Sequence, residues 1–287
     1  YRDPMGTGLT IGLLHPGQMG SAVGAAASTG HRVLWISEGR SAATAARASA
    51  DGLEDVVSLA RLVEAEVILS VCPPQVAGEV ARAVAATGFD GLYVDANAVS
   101  PDAARSIGVT VEAAGASFVD GGIIGFPPRT AGSTRLYLSG ERADEVAGIF
   151  TDSPLEARVV DGPPGTASAL KMAYAAWTKG SSALILAVRA LARAEKVEED
   201  LLGEWALSQP DAEGRTDFAA TVNAPKAWRF APEMREIAAT FEAAGVPDGF
   251  WRAAAEVYEQ ISGFRDRPVG EVDADEVLDR LAGRAGP

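Results

Sequence analysis

The sequence predicts a doubly wound α/β domain followed by an all-helical domain, the two joined by a long helix. Three observations carry that reading. Short apolar runs alternate with alanine-rich stretches up to about Val160, as in a parallel sheet covered by helices on both faces. A glycine turn, His15-Pro16-Gly17-Gln18-Met19-Gly20, separates the first apolar run from the first helix. After Asp161-Gly162-Pro163-Pro164-Gly165 the strand signals stop, and Leu170, Trp177, Leu184 and Leu191 recur as an apolar seam on one helix.

Taken in order, Leu9 to Leu14 is the first strand and Ser21 to Thr29 the first helix, which Gly30 closes. Arg32 to Ile36 is the second strand, and Ser41 to Ala50 is helical. Glu66 to Val71 reads as a buried strand stopped by Pro73-Pro74, with a helix over Gln75 to Ala86. Leu92 to Val94 is a strand. Ser100-Pro101-Asp102 caps a helix reaching about Ala114, with proline in its first position. Ala116 to Val119, Leu136 to Leu138 and Arg158 to Val160 complete the strands. In such a sheet the ligand crevice lies at the carboxyl ends of the strands, so loops at Gly17, Ser37, Pro73, Asn97 and Gly121 are expected to converge. The domains divide as 8–163 and 164–287. Helices are expected near Glu198 to Leu207, Glu233 to Ala244, Gly249 to Ile261 and Asp273 to Ala282.

Composition narrows the function. The 287 residues carry 25 basic and 39 acidic side chains, a net charge of −14, which argues against a nucleic-acid partner. No apolar run reaches membrane-span length. The single cysteine, Cys72, allows no internal disulfide and fits a reducing, cytoplasmic setting. Two histidines and one cysteine give no zinc-type ligand cluster, so no metal is expected. Tyr1 to Gly8 reads as a disordered leader.

The glycine turn is the first candidate site. A dinucleotide needs glycines where backbone nears the pyrophosphate, and a helix N-terminus to receive its charge. Gly17 and Gly20 take the second and third glycine positions of the usual Rossmann pattern; His15 stands at the first, which normally makes the tight turn. His15, Pro16, Gly17, Gln18, Met19 and Gly20 are therefore candidate cofactor contacts, although His15 can equally be a plain turn residue. After the second strand, an acid would bind the ribose diol of NAD and an arginine the 2′-phosphate of NADP. Ser37 stands where the acid often stands, Arg40 and Ser41 can donate to a phosphate, and Glu38 would serve NAD if the turn swung by one residue. The balance favours NADP(H), with NAD(H) possible.

The second site is a lysine. Lys171, Tyr174, Ala175 and Thr178 share one face of the long helix. A lysine facing the cleft can give a proton to a carbonyl oxygen as hydride arrives, or take one back. By itself, an ordinary solvated helix lysine is the commoner reading.

GLLHPGQMG, then Val71-Cys72-Pro73-Pro74, Asp95 to Pro101, Phe118 to Gly125 and Gly165 to Tyr174 occur in an order and spacing that resemble the β-hydroxyacid dehydrogenase superfamily. That superfamily includes 3-hydroxyisobutyrate and 6-phosphogluconate dehydrogenases, and the C-terminal half looks most like its 6-phosphogluconate-dehydrogenase-like branch. The resemblance implies that Lys171 is the acid/base group. It also implies cofactor contacts at Val71, Cys72, Pro73 and Asn97, a small-molecule substrate, and a homodimer through the helical domain. Substrate contacts would be Gly121, Gly122, Ile123, Ile124, Tyr174, Ala175, Trp177, Thr178 and Arg235. Departures matter here. Ile124 replaces the family's carboxylate-binding serine, Ala175 its asparagine, and Asn97-Ala98 its Ser-Thr pair. Asp120 to Ile124 also resembles the imine reductases, which usually carry aspartate or tyrosine in place of Lys171. Three readings follow: a carbonyl/hydroxyl oxidoreductase, an imine reductase, and a non-catalytic dinucleotide-binding module.

Overall fold

The computed structural model describes residues 8–265, 267–268 and 270–283, so the leader read at the start lies, but for Gly8, outside the described residues. The chain forms two compact units, residues 1–171 and 172–287.

In the first unit, β1 (Thr10–Leu14), α1 (Gln18–Ala27), β2 (Arg32–Trp35), α2 (Ala42–Ala50), β3 (Glu54–Asp55), α3 (Leu59–Leu62), β4 (Val67–Ser70) and α4 (Pro74–Ala85) are followed by β5 (Leu92–Asp95) and α5 (Pro101–Glu112). Then come β6 (Ser117–Gly125), β7 (Thr134–Ser139), α6 (Ala143–Ile149) and β8 (Leu155–Val159). One sheet runs β3-β2-β1-β4-β5-β6-β7-β8. Its neighbours are parallel except β6 and β7. Side chains alternate across a strand, so the apolar runs feed two cores. Ile11, Leu13, Val67 and Leu69 pack with Val23 of α1 and Val146 of α6. Leu14, Ile68 and Tyr93 pack on the other face with Leu62, Ala81 and Ile107 from α3, α4 and α5. The strand order reverses between β1 and β4, which puts the crevice of a doubly wound sheet at their carboxyl ends.

Two expectations need correction, and three short elements come in addition. Gly121 is not in a loop: β6 continues through Gly121-Gly122 to Gly125, because the hairpin with β7 supplies ladder partners that the short apolar run could not reveal. The edge strand β3 and the short helices α3 and α6 carry too little periodicity to be read from sequence. The predicted helix from Glu233 begins at Ala227, with Pro232 inside it. Burial of Ala231, Met234 and Ile237 carries the helix past one lost ladder bond.

A 29-residue helix, α7 (Thr166–Ala194), starts in the first unit and continues into the second. The second unit adds α8 (Glu198–Ser208), α9 (Ala212–Phe218), a π-helical turn at Ala219–Asn223, α10 (Ala227–Ala243), α11 (Gly249–Gln260) and α12 (Ala274–Leu281). Arg193 near the end of α7 ties Glu198 of α8 to Asp275 and Asp279 of α12. Lys179 pairs with Glu233 of α10 and lies 4.6 Å from the Phe230 ring centroid.

Candidate functional site

The glycine turn follows β1 directly. His15 sits at φ 64, in the left-handed region where glycine is at ease and histidine is not. Its carbonyl accepts the Gly17 N–H at 2.7 Å. A Cβ on Gly20 would run into that same carbonyl oxygen, so packing alone demands the third glycine. Gly17 differs. It has ordinary extended backbone, and a Cβ there would meet no protein atom within 4 Å. Protein packing gives no reason for a glycine at 17, whereas a pyrophosphate approaching the backbone would. The start of α1 has no side-chain cap, so its first N–H groups can meet an anion.

Beyond β2, Gly39 turns the chain at φ 72 and Ser41 caps α2, its Oγ accepting from the Thr44 N–H at 3.3 Å. Ser37 is held through its N–H by Asp55 at 3.2 Å, and Glu38 is exposed. Arg40 lies close enough to His15 for its charge to act on the imidazole. Burial first, then Arg40, lowers the His15 pKa to about 4, so the ring is neutral at pH 7. His15 Nδ1 and Arg40 Nε are both sealed from solvent and meet no hydrogen-bond partner among the described residues. Arg47 donates from Nη1 to the Pro16 carbonyl at 3.2 Å, bracing the turn from α2. Ser21 of α1 donates to Asp51, and Arg129 binds the same carboxylate at 2.5 and 2.8 Å. No sequence signal links residues 78 positions apart in this way.

At the ends of β4 and β5 the side chains bond mainly to one another. Asn97 Oδ1 accepts the Cys72 N–H at 2.5 Å, while Nδ2 donates to Ser70 Oγ at 3.0 Å and to Asp95. Asn97 thus locks the crevice floor, and its side-chain bonds go to protein partners. Burial, helped by Asp95, pushes the Cys72 thiol up to about 12, which disqualifies it as a nucleophile at neutral pH.

Asp95 is fully buried and pairs in register with Asp120 on β6. Burial first, then the Asp120 charge, raises its pKa from 3.8 to about 7 against the bonds from Asn97. The folded protein therefore holds an extra proton between about pH 4 and pH 7. Stability should fall as pH rises through that window, with the full cost present above pH 7, about 4 kcal/mol at 1.36 kcal/mol per pH unit. Asp95→Asn keeps the Oδ1 acceptor that Asn97 uses. We expect its denaturation midpoint to lose most of that decline and to exceed the wild type at pH 8. Parallel pH profiles in urea melts would refute this.

Asp120 fastens α7 to the sheet. Its buried Oδ2 accepts from Gly165 N at 2.9 Å, Ser168 N at 3.0 Å and Ser139 Oγ at 3.0 Å, and Oδ1 accepts from Ser168 Oγ at 2.6 Å. Ser139 Oγ in turn accepts from Ala167 N at 3.0 Å. These are the orphan N–H groups of a helix start, met by a carboxylate at the positive end of the dipole. Gly122 lets the helix lie flat: a Cβ there would stand 2.8 Å from Lys171 Cβ and 2.9 Å from the Ala167 carbonyl oxygen. The half-buried Lys171 thus rides on β6 one turn beyond the Asp120 clamp. Ile123 and Ile124 are buried, Ile123 within the sheet core. Among the described residues no group of three or more His, Cys, Asp or Glu side chains is placed to hold a metal ion.

In the second unit, Ala175 is buried while Tyr174 and Trp177 are exposed. Trp177 and Thr178 line an open cleft of about 530 Å³ with Ser182, Ile185, Arg215 and Phe218. Arg215 and Phe218 belong to α9, a helix the sequence reading missed. Arg235 pairs with Glu259 of α11 at the surface.

Comparison with known proteins places this geometry. Residues 192–261 match a family model described as a domain of unknown function, DUF1932. No curated protein matches the chain by sequence. A conserved hypothetical protein from Sinorhizobium meliloti is 25% identical with a TM-score of 0.70, each chain covered to 98%. The conserved protein MTH1747, whose function is unknown and which is described as similar to 3-hydroxyacid dehydrogenases, is 27% identical over 89% of this chain and 98% of its own, with a TM-score of 0.66. A 3-hydroxyisobutyrate dehydrogenase from Mycobacterium tuberculosis, solved with L-serine, is 17% identical over 96% and 99%, with a TM-score of 0.67. The chain has the fold of the 3-hydroxyisobutyrate dehydrogenases and imine reductases. Within that fold, the glycine turn and the Asp120-clamped helix start are features of this chain's own residues.

Proposed function

We propose that the protein is an NADP(H)-dependent oxidoreductase acting on a small carbonyl or hydroxy compound, with Lys171 as its proton donor and acceptor. The observation that carries this is the placement of Lys171. It is seated on Gly122 and fixed by the Asp120 clamp, in the same unit as a turn whose Gly17 has no packing reason to be glycine. The cofactor, when bound, supplies or accepts hydride at the nicotinamide C4. Gly17 and the uncapped start of α1 would receive its pyrophosphate, and Arg40 with Ser41 its 2′-phosphate. Lys171 would hand a proton to the carbonyl oxygen, or withdraw it from the hydroxyl in the reverse direction. A reductase of the same fold, the reductive aminase from Aspergillus terreus, is solved with NADPH. Among the described residues no helix is long and apolar enough to cross a membrane, and the proposed setting is the cytoplasm.

The test follows NADPH oxidation against a panel of 2-keto acids, 3-keto acids and cyclic imines. Turnover on keto acids supports the proposal. Turnover on imines alone would make the protein an imine reductase, and tight NADPH binding with no turnover would make it a binding module.

We further propose a homodimer through α7. Leu170, Trp177, Leu184 and Leu191 leave 38%, 71%, 56% and 62% of their surface exposed along one helix, an apolar stripe that a second copy would bury. The wild type should run at twice the chain mass in size-exclusion chromatography with light scattering. Leu184→Glu with Leu191→Glu should run at the single-chain mass. A monomeric wild type would refute the dimer.

A further inference from the structure

We infer that His15 sets cofactor choice: together with Arg40 it grips the 2′-phosphate of NADP(H), a phosphomonoester that NAD(H) lacks. The inference deepens the NADP(H) reading above and rests on it. The backbone gives the first reason. At φ 64 a glycine would be relaxed and a histidine is not, so the turn itself gains nothing from this side chain. The second reason is what the imidazole is near. It sits on the turn after β1, and Arg40 sits on the loop after the adjacent parallel strand β2, with His15 Nδ1 and Arg40 Nε buried and unpartnered. Nδ1 being sealed, Nε2 is the ring nitrogen left to meet a ligand. Charge is the third reason. In a chain with 39 acidic and 25 basic side chains, Arg40 makes no ion pair among the described residues. The neighbouring Glu38 is solvent-exposed and bonds to neither. A guanidinium and a neutral imidazole on neighbouring loops match a phosphate dianion, which accepts N–H bonds from both. Uncharged ribose hydroxyls would not need the arginine. The β2–α2 loop brings Arg40 to the end of β2, where a Rossmann sheet receives the adenosine ribose.

The experiment measures binding of NADPH, NADH and adenosine 2′,5′-bisphosphate to the wild type and to His15→Gly by calorimetry, with a thermal melt of each. Glycine suits the backbone, so the variant should fold and its Tm should rise, by about 2 °C. NADPH and the bisphosphate should each bind roughly tenfold more weakly to the variant, the worth of one charge-assisted hydrogen bond. NADH affinity should stay unchanged. An equal loss for NADPH and NADH would overturn the inference, giving His15 a role in the pyrophosphate turn. Unchanged binding of all three would overturn it too, making His15 a turn residue only. Wild type that binds NADH as tightly as NADPH would instead overturn the NADP(H) reading on which the inference stands.

Discussion

Lys171→Ala is expected to lower turnover by roughly 10²–10⁴-fold, the usual worth of a positioned general acid. NADPH affinity should stay nearly intact, because the residues proposed to hold the dinucleotide lie in the turns after β1 and β2. Lys171 Cβ lies against Gly122, and alanine retains that Cβ. Stability should therefore change little. Single-turnover kinetics on a substrate from the keto-acid panel, with NADPH binding measured in parallel, separates chemistry from binding. Lys171→Arg sharpens the result: it keeps the positive charge but gives up no proton at neutral pH. If arginine restores turnover, the lysine works by charge. If alanine turns over normally, the catalytic assignment fails.

The second large effect belongs to Asp120. Asp120→Ala would strand the N–H groups of Gly165 and Ser168 and two serine hydroxyls inside the protein. Buried donors left without an acceptor cost about 1–3 kcal/mol each, partly offset because a buried charge is removed as well. A net loss of about 3–5 kcal/mol is expected, which lowers the Tm by roughly 10 °C. Asp120→Asn should behave otherwise. With its oxygen at the Oδ2 position it still accepts from Gly165 and Ser168, and its amide can donate to Ser168 Oγ. Its stability should fall by no more than about 1 kcal/mol. Because the Asp120 charge helps to raise the Asp95 pKa, the asparagine variant should also shift the pH dependence of stability toward lower pH. Differential scanning calorimetry across pH reads both effects. Equal Tm losses for alanine and asparagine would mean that the clamp is not a set of hydrogen bonds to this carboxylate.

Both variants act on a site whose parts differ in how far they were legible. The glycine turn could be read because its signal is local: strand, turn and helix follow one another within twenty residues, and each rests on nearest-neighbour sterics. Asp120 was read only as part of a family-like segment. Its work is done with Ser139, Gly165 and Ser168, and the longest of those separations is 48 residues. Asn97 matched a cofactor motif, yet its side chain is occupied by Cys72, Ser70 and Asp95, a knot formed only when β4 and β5 lie side by side. Arg235, a substrate contact by segment resemblance, pairs with Glu259, since α10 and α11 pack as neighbours.

The sequence by itself determined every strand of the sheet but β3, most of its helices, the turn after β1, the long helix and the lysine on it. Those follow from residue periodicity, glycine and proline placement, and capping, which act over a few residues. Only the tertiary structure decided that β6 runs on past Gly122, that the Lys171 helix is held by a buried carboxylate, and that the loops of His15 and Arg40 follow adjacent strands. Each of these depends on which strands and helices become neighbours. That choice is made by the burial of two apolar faces at once, through contacts between residues far apart in the chain.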